Sequence, residues 1–221
     1  LHPVAHSFPT RRSSDLAVGR LDFGDDLSAY AHYAHNVVAA ADEEVTRARR
    51  AVFFGVDNDH DEATALSARY LVAPLRNRLA ALTDKDDWRL IRIASEYATK
   101  ANLSRILSLD PPPAVLFVAS HGVELKPDAD GQRSIQGALL CQDWDGSSGE
   151  LAPTTYFSAQ DVTPSLNMRG MIAFLFACYS AGTPRSDEYV RSRFRETGET
   201  LTPEPFVAAL PQAMLALRDR G

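Results

Sequence analysis

The chain has 221 residues, 45% hydrophobic and 24% charged, a composition that suits one substantial packed core and excludes disordered or collagen-like structure. The formal charge is −6, and no long basic block exists to follow a phosphate backbone, which argues against a nucleic-acid partner. The longest apolar run, Met171 to Cys178, falls far short of the roughly 20 residues a membrane-spanning helix needs, so the sequence predicts a soluble protein. Cys141 and Cys178 are the two cysteines; they make no disulfide framework and no Cys/His cluster has zinc spacing, which favours a reducing compartment such as the cytoplasm.

In chain order, Ser7 to Leu16 reads SFPTRRSSDL and resembles the in-frame translation of a short sequencing adapter, so residues 1–16 are set aside from fold reasoning. Residues 17–50 read as an N-terminal helical segment: Leu27, Tyr30, Ala34, Val37, Val38 and Ala41 recur at helical spacing, and the charged stretch Asp42 to Arg50 leads out. Ala51 to Val56 is an unbroken apolar run, as expected of a strand covered on both faces. The acidic loop Asp57 to Glu62 follows. A helix is predicted over Ala63 to Val72, with Leu66 and Tyr70 on its packed side and Pro74 kinking or ending it. Trp88 to Ala94 reads as a second strand.

Thr99 caps a helix whose buried side is Leu103, Ile106 and Leu107, and Pro111 to Pro113 stops it. Ala114 to Ala119 is a third strand. Ile135 to Cys141 and a turn around Trp144 suggest a hairpin excursion, Gly170 to Ala177 a fourth buried strand, and Phe206 to Leu217 a closing helix. Apolar strands alternating with helices specify a three-layer α/β/α sandwich with a mainly parallel sheet.

In such a sheet, reactive groups gather beyond the carboxyl ends of the strands. Two ends are chemically loaded: the third strand runs into Ser120-His121-Gly122 and the fourth into Cys178-Tyr179-Ser180-Ala181-Gly182. If those strands are neighbours, an imidazole and a thiol face one crevice. A thiolate attacks a carbonyl while the imidazole moves the proton, and the Gly122 and Cys178 amides are placed to serve as the oxyanion hole. Against this stands the ordinary role of a strand-end cysteine as a packing residue.

The pair of apolar strands ending in His-Gly (Ala114 to Gly122) and in Ala-Cys (Met171 to Cys178) resembles the caspase-like cysteine peptidases, the group of gingipains, legumains, metacaspases and CHAT-type domains. Val18-Gly19-Arg20 before a tyrosine-bearing helix is similar to the gingipain-type segment ahead of the catalytic subdomain. The resemblance implies a caspase-like catalytic domain over residues 51–221, with His121 and Cys178 as the dyad and the Gly122 and Cys178 amides as the oxyanion hole. It implies a peptide or protein substrate, no organic cofactor, and a sheet that continues beyond the last residue, with further domains missing. Phe176 departs from the metacaspase pattern, which has an acidic residue there.

Other residues are weighed beside these. In the peptidases this sequence resembles, the corresponding loop borders the specificity pocket, so the resemblance implies that Asp57, Asp59 or Asp61 receives a basic substrate side chain, with a solvated turn as the plainer reading. Their spacing resembles a calcium loop, but Glu62 and Ala68 stand where its glycine and glutamate belong. Ser180 and the small residues after Cys178 leave room for a substrate chain. Cys141 reads as core, Asp143 and Trp144 as packing at the cleft edge. His32, His35 and His60 have no metal spacing, and no metal site is expected. Val118 stands where a serine elbow needs glycine, so Ser120 is a poor nucleophile. Thr99 to Asn102 is read as an N-cap before an anion site. The readings left open are a cysteine-type endopeptidase, a catalytically inactive scaffold or signalling module of the same fold, and a non-peptidase ligand-binding domain.

Overall fold

The protein is described here by a computed structural model covering residues 21–42, 47–59, 61–83, 87–147, 149–187 and 199–221. The adapter-like Ser7 to Leu16, the Val18-Gly19-Arg20 segment, His60 and residues 188–198 lie outside those residues. Helix α1 (Leu27–Ala41) leads into β1 (Ala48–Gly55). Next come α2 (Glu62–Ser67), a π-helical turn (Ala68–Val72), α3 (Ala73–Thr83), β2 (Arg89–Ala94), α4 (Lys100–Leu107) and β3 (Pro113–Ala119). The excursion holds α5 (Gln132–Ile135), β4 (Leu139–Leu140) and β5 (Tyr156–Phe157). The chain then forms β6 (Ile172–Phe176), β7 (Gly182–Thr183), β8 (Phe206–Val207) and α6 (Ala209–Ala216).

Four parallel strands form the central sheet in the order β2-β1-β3-β6. Alternation of side chains across the pleat gives it two packed faces. Val52, Phe54, Leu116 and Val118 point to one face, where they meet Leu103, Ile106 and Leu107 of α4 and Leu210 and Met214 of α6. Ala51, Phe53 and Ala119 point to the other, against Val72 and Leu79. Helices thus cover both faces of a mainly parallel sheet, the α/β architecture expected of alternating apolar strands and helices. Among the described residues, no helix is long and apolar enough to cross a membrane.

Several expectations are corrected. The first strand starts at Ala48, so Arg49 and Arg50 belong to it, although they are charged: the sheet pairs Ala48 with Pro113 through backbone alone. Helix α1 has the expected bounds but buries Ala29, Asn36 and Ala39, leaving Leu27, Val37 and Val38 exposed. Its partner surface is the carbonyl-bearing end of α6, where Asn36 Nδ2 donates to Leu217 O at 2.9 Å and His32 Nδ1 lies 3.2 Å from Ala216 O, so polar groups turn inward. In the α2 region Leu66 and Tyr70 are exposed, while Ala68 and Val72 are buried, because Val72 packs within about 3 Å of where a Gly55 side chain would begin.

Pro74 does not end the helix. The widened turn at Ala68–Val72, where Ala73 N–H bonds to Ala68 O, reseats the hydrogen-bond ladder just before the residue that lacks a donor. Phe206 and Val207 are a short strand paired with Thr183 and Gly182, and the closing helix starts only at Ala209. The largest correction concerns β6, expected to be buried: among the described residues it is an edge strand, with Ile172, Phe174 and Phe176 all more than half exposed. The hairpin excursion, the Thr99 cap and the buried side of α4 stand as expected.

Candidate active site

The register of β3 on β6 builds the site. The last paired residues are Ala119 and Phe176, and one step further Ser120 N–H donates to Phe176 O at 3.2 Å. His121 and Cys178 are each two residues beyond that last pair, so parallel pairing delivers imidazole and thiol to the same edge of the sheet on adjacent chains. The two backbones then touch. A Cβ placed on Gly122 would lie 1.7 Å from the Cys178 carbonyl oxygen, so only glycine fits under the Cys178 turn. Among the described residues, neither the Gly122 nor the Cys178 amide donates to a protein acceptor, which leaves both N–H groups available.

Asp61 is the partner of His121: Asp61 Oδ2 stands 2.7 Å from His121 Nε2. The same carboxylate caps α2, taking bonds from Thr64 N–H at 3.1 Å and from the Thr64 hydroxyl at 2.6 Å. Thr64 is buried and is itself anchored by the Asn58 amide at 3.1 Å. Burial works to raise the Asp61 carboxyl, but the Thr64 bonds and the neighbouring imidazole outweigh it and hold the group below its ordinary value. The Trp144 ring stands nearly perpendicular to the imidazole, with ring centres 6.3 Å apart. A cleft of about 380 Å³ runs past these groups, lined by Ala63, Ser67, Ser120, His121, Phe176 and Cys178 among others.

The two cysteines differ sharply. Cys178 is exposed. Cys141 is fully buried, and burial, aided by the charge of Asp143, pushes its thiol up to about 12. Of the two thiols, Cys178 is the one open to solvent.

The remaining predicted residues scatter. Asp57 and Asp59 line a separate cavity of about 520 Å³ with Ser95, Glu96, Thr99 and Gln142, so the three loop carboxylates do not make one pocket. Asp57 is tied by its backbone to Gln142, donating N–H to Oε1 at 2.9 Å and accepting from Nε2 at 2.6 Å. Ser180 turns its hydroxyl onto the carbonyls of Ala177 (2.8 Å) and Leu175 (3.1 Å), tightening the turn after Cys178. With Ala181 and Gly182 it borders an apolar cavity of about 720 Å³ containing Met168, Met171, Phe206 and Met214. Ser120 Oγ donates to His121 O at 2.9 Å and serves the backbone. The amino end of α4 already holds a carboxylate, since Asp143 accepts from Lys100 N–H at 2.7 Å.

Sequence reasoning missed the pairing of Asp61 with His121. The one available signal was Asp61-x-x-Thr64, the pattern of a helix N-cap, which fixes that carboxylate at a loop on the loaded edge of the sheet. It also missed Tyr179, which follows Cys178 with φ +57°, and Glu124, which accepts from its hydroxyl. Comparison with family models, curated proteins and solved structures returned no match.

Proposed function

We propose that the protein is a caspase-like cysteine-type endopeptidase, in which Cys178 is the nucleophile and His121 the proton carrier. The observation that carries this reading is the pairing of β3 with β6, which sets His121 and the exposed Cys178 on one edge with Gly122 packed under the Cys178 carbonyl. The Cys178 thiolate attacks the scissile carbonyl, and the Gly122 and Cys178 amides receive the oxyanion. His121 gives a proton to the departing amine, leaving a thioester on Cys178. Water, deprotonated by His121, then releases the acid. Asp61 orients the imidazole through Nε2, the role the carboxylate member plays in triads of this logic. In this reading Asp57 and Asp59, which line a cavity of their own, receive a basic side chain of the peptide substrate.

The test is labelling of the full chain by a panel of peptidyl electrophiles, read by intact mass and peptide mapping, with wild type set beside Cys178→Ala and His121→Ala. Selective modification of Cys178 that requires His121, together with hydrolysis of the matching peptide that Cys178→Ala abolishes, supports the peptidase. Labelling no faster than a free thiol in the folded protein overturns it in favour of a non-catalytic scaffold of the same fold.

A further inference from the structure

The turn that carries Cys178 is held in a conformation its own sequence does not favour. Tyr179 has φ +57°, in the left-handed region that a bulky side chain enters only at a cost. Such a conformation persists only where the surroundings over-determine it. Here the surroundings are the segment that leaves His121. Gly122 lies under the Cys178 carbonyl, and a Cβ on Gly137 would lie 2.3 Å from the Tyr179 carbonyl oxygen. These two glycines give the turn clearance without attracting it. Ser180 closes the turn locally, through its N–H on Ala177 O at 3.3 Å and its hydroxyl on the Ala177 and Leu175 carbonyls. The directed contact that ties the turn to the segment leaving His121 is the Tyr179 hydroxyl, which donates to Glu124 Oε1 at 3.0 Å. Burial and the Glu124 bond push the Tyr179 phenol up to about 12, so it remains a protonated donor at neutral pH.

We propose that Tyr179 is a positioning residue: its hydrogen bond to Glu124, three residues beyond His121, holds the left-handed turn after Cys178 and so sets the thiol against the imidazole. The proposal rests on the Cys178–His121 reading above. Without the bond, the Tyr179 backbone relaxes toward negative φ. That rotates the peptide on which Cys178 ends and redirects both its side chain and its amide. Glu124 is exposed, so its contribution to the fold is small and its loss reports on the turn.

The experiment is the rate of Cys178 alkylation by iodoacetamide on the full chain, measured from mildly acidic to alkaline pH, with buried Cys141 as the internal marker of a folded core. The variants are His121→Ala, Tyr179→Phe, Glu124→Ala and Glu124→Gln. Tyr179→Phe and Glu124→Ala are each expected to slow Cys178 at neutral pH by about tenfold, the scale of one lost hydrogen bond, and to move its pH profile in the direction of the His121→Ala profile. Glu124→Gln keeps an oxygen acceptor and stays within about twofold of wild type. Should Tyr179→Phe expose Cys141, Glu124→Ala alone decides. Wild-type profiles in Tyr179→Phe and Glu124→Ala, with a shifted profile in His121→Ala, overturn the positioning role and leave the dyad standing. An unchanged profile in His121→Ala overturns the dyad and this proposal with it.

Discussion

Asp61 serves two masters through one oxygen. Its Oδ2 caps α2 on Thr64 and meets His121 Nε2, so the helix start and the imidazole are registered against each other. The consequence is a pH signature. The folded carboxyl titrates below its ordinary 3.8, so its contribution to stability is fully present above that value and is lost as pH falls through the lower folded value. Asp61→Asn keeps oxygen and shape but removes the charge. Wild type is therefore expected to be the more stable of the two at neutral pH, with the gap closing as pH falls below about 3.8. Urea midpoints measured along a pH series check this, and a gap that stays constant into the acid range contradicts it.

At the scale of elements, α4 shows how local sequence and packing agree. Thr99 accepts from Asn102 N–H at 3.2 Å and starts the helix; Leu103, Ile106 and Leu107, at helical spacing, sink against Val52, Phe54, Leu116 and Val118 of the sheet. Leu103 is fully buried, so Leu103→Ala leaves a cavity under β1 and β3 and is expected to cost about 2–5 kcal/mol. Leu82→Ala, at a position 72% exposed, is expected to stay within about 0.5 kcal/mol of wild type, and chemical denaturation of both variants measures the contrast. This helix, β1 and β3 were legible in the sequence because an apolar run or a 3.6-residue stripe coincides with the buried face. The exposed Leu66 and Tyr70 show the limit: the face that turns inward is the one whose Val72 packs on Gly55, where a strand glycine leaves room, and it buries Ala68 and Val72 instead. His121 and Cys178 were legible because motifs at strand ends need only sheet order to meet. The Asp61–His121 bond spans 60 positions and depends on a cap geometry that no periodicity records.

Across the whole molecule the two edges of the sheet differ. The β2 edge carries exposed Arg89 and Arg92, charges that oppose the addition of another strand. The β6 edge carries Ile172, Phe174 and Phe176, at 57%, 55% and 58% exposure. Phe174 ends a row of rings that crosses the sheet, with Phe53 to Phe117 at 6.4 Å and Phe117 to Phe174 at 6.5 Å. An apolar run looks the same in sequence whether its strand is central or at an edge, which is why β6 read as buried. An apolar edge strand favours self-association. Wild-type chain is therefore expected to gain weight-average mass with concentration in sedimentation velocity. Phe174→Lys, which puts a charge on that edge and gives up a side chain already more than half exposed, is expected to stay monomeric while losing no more than about 1 kcal/mol of stability. Equal association by both proteins, or none by wild type at any concentration, would show that the edge is not the surface through which copies meet.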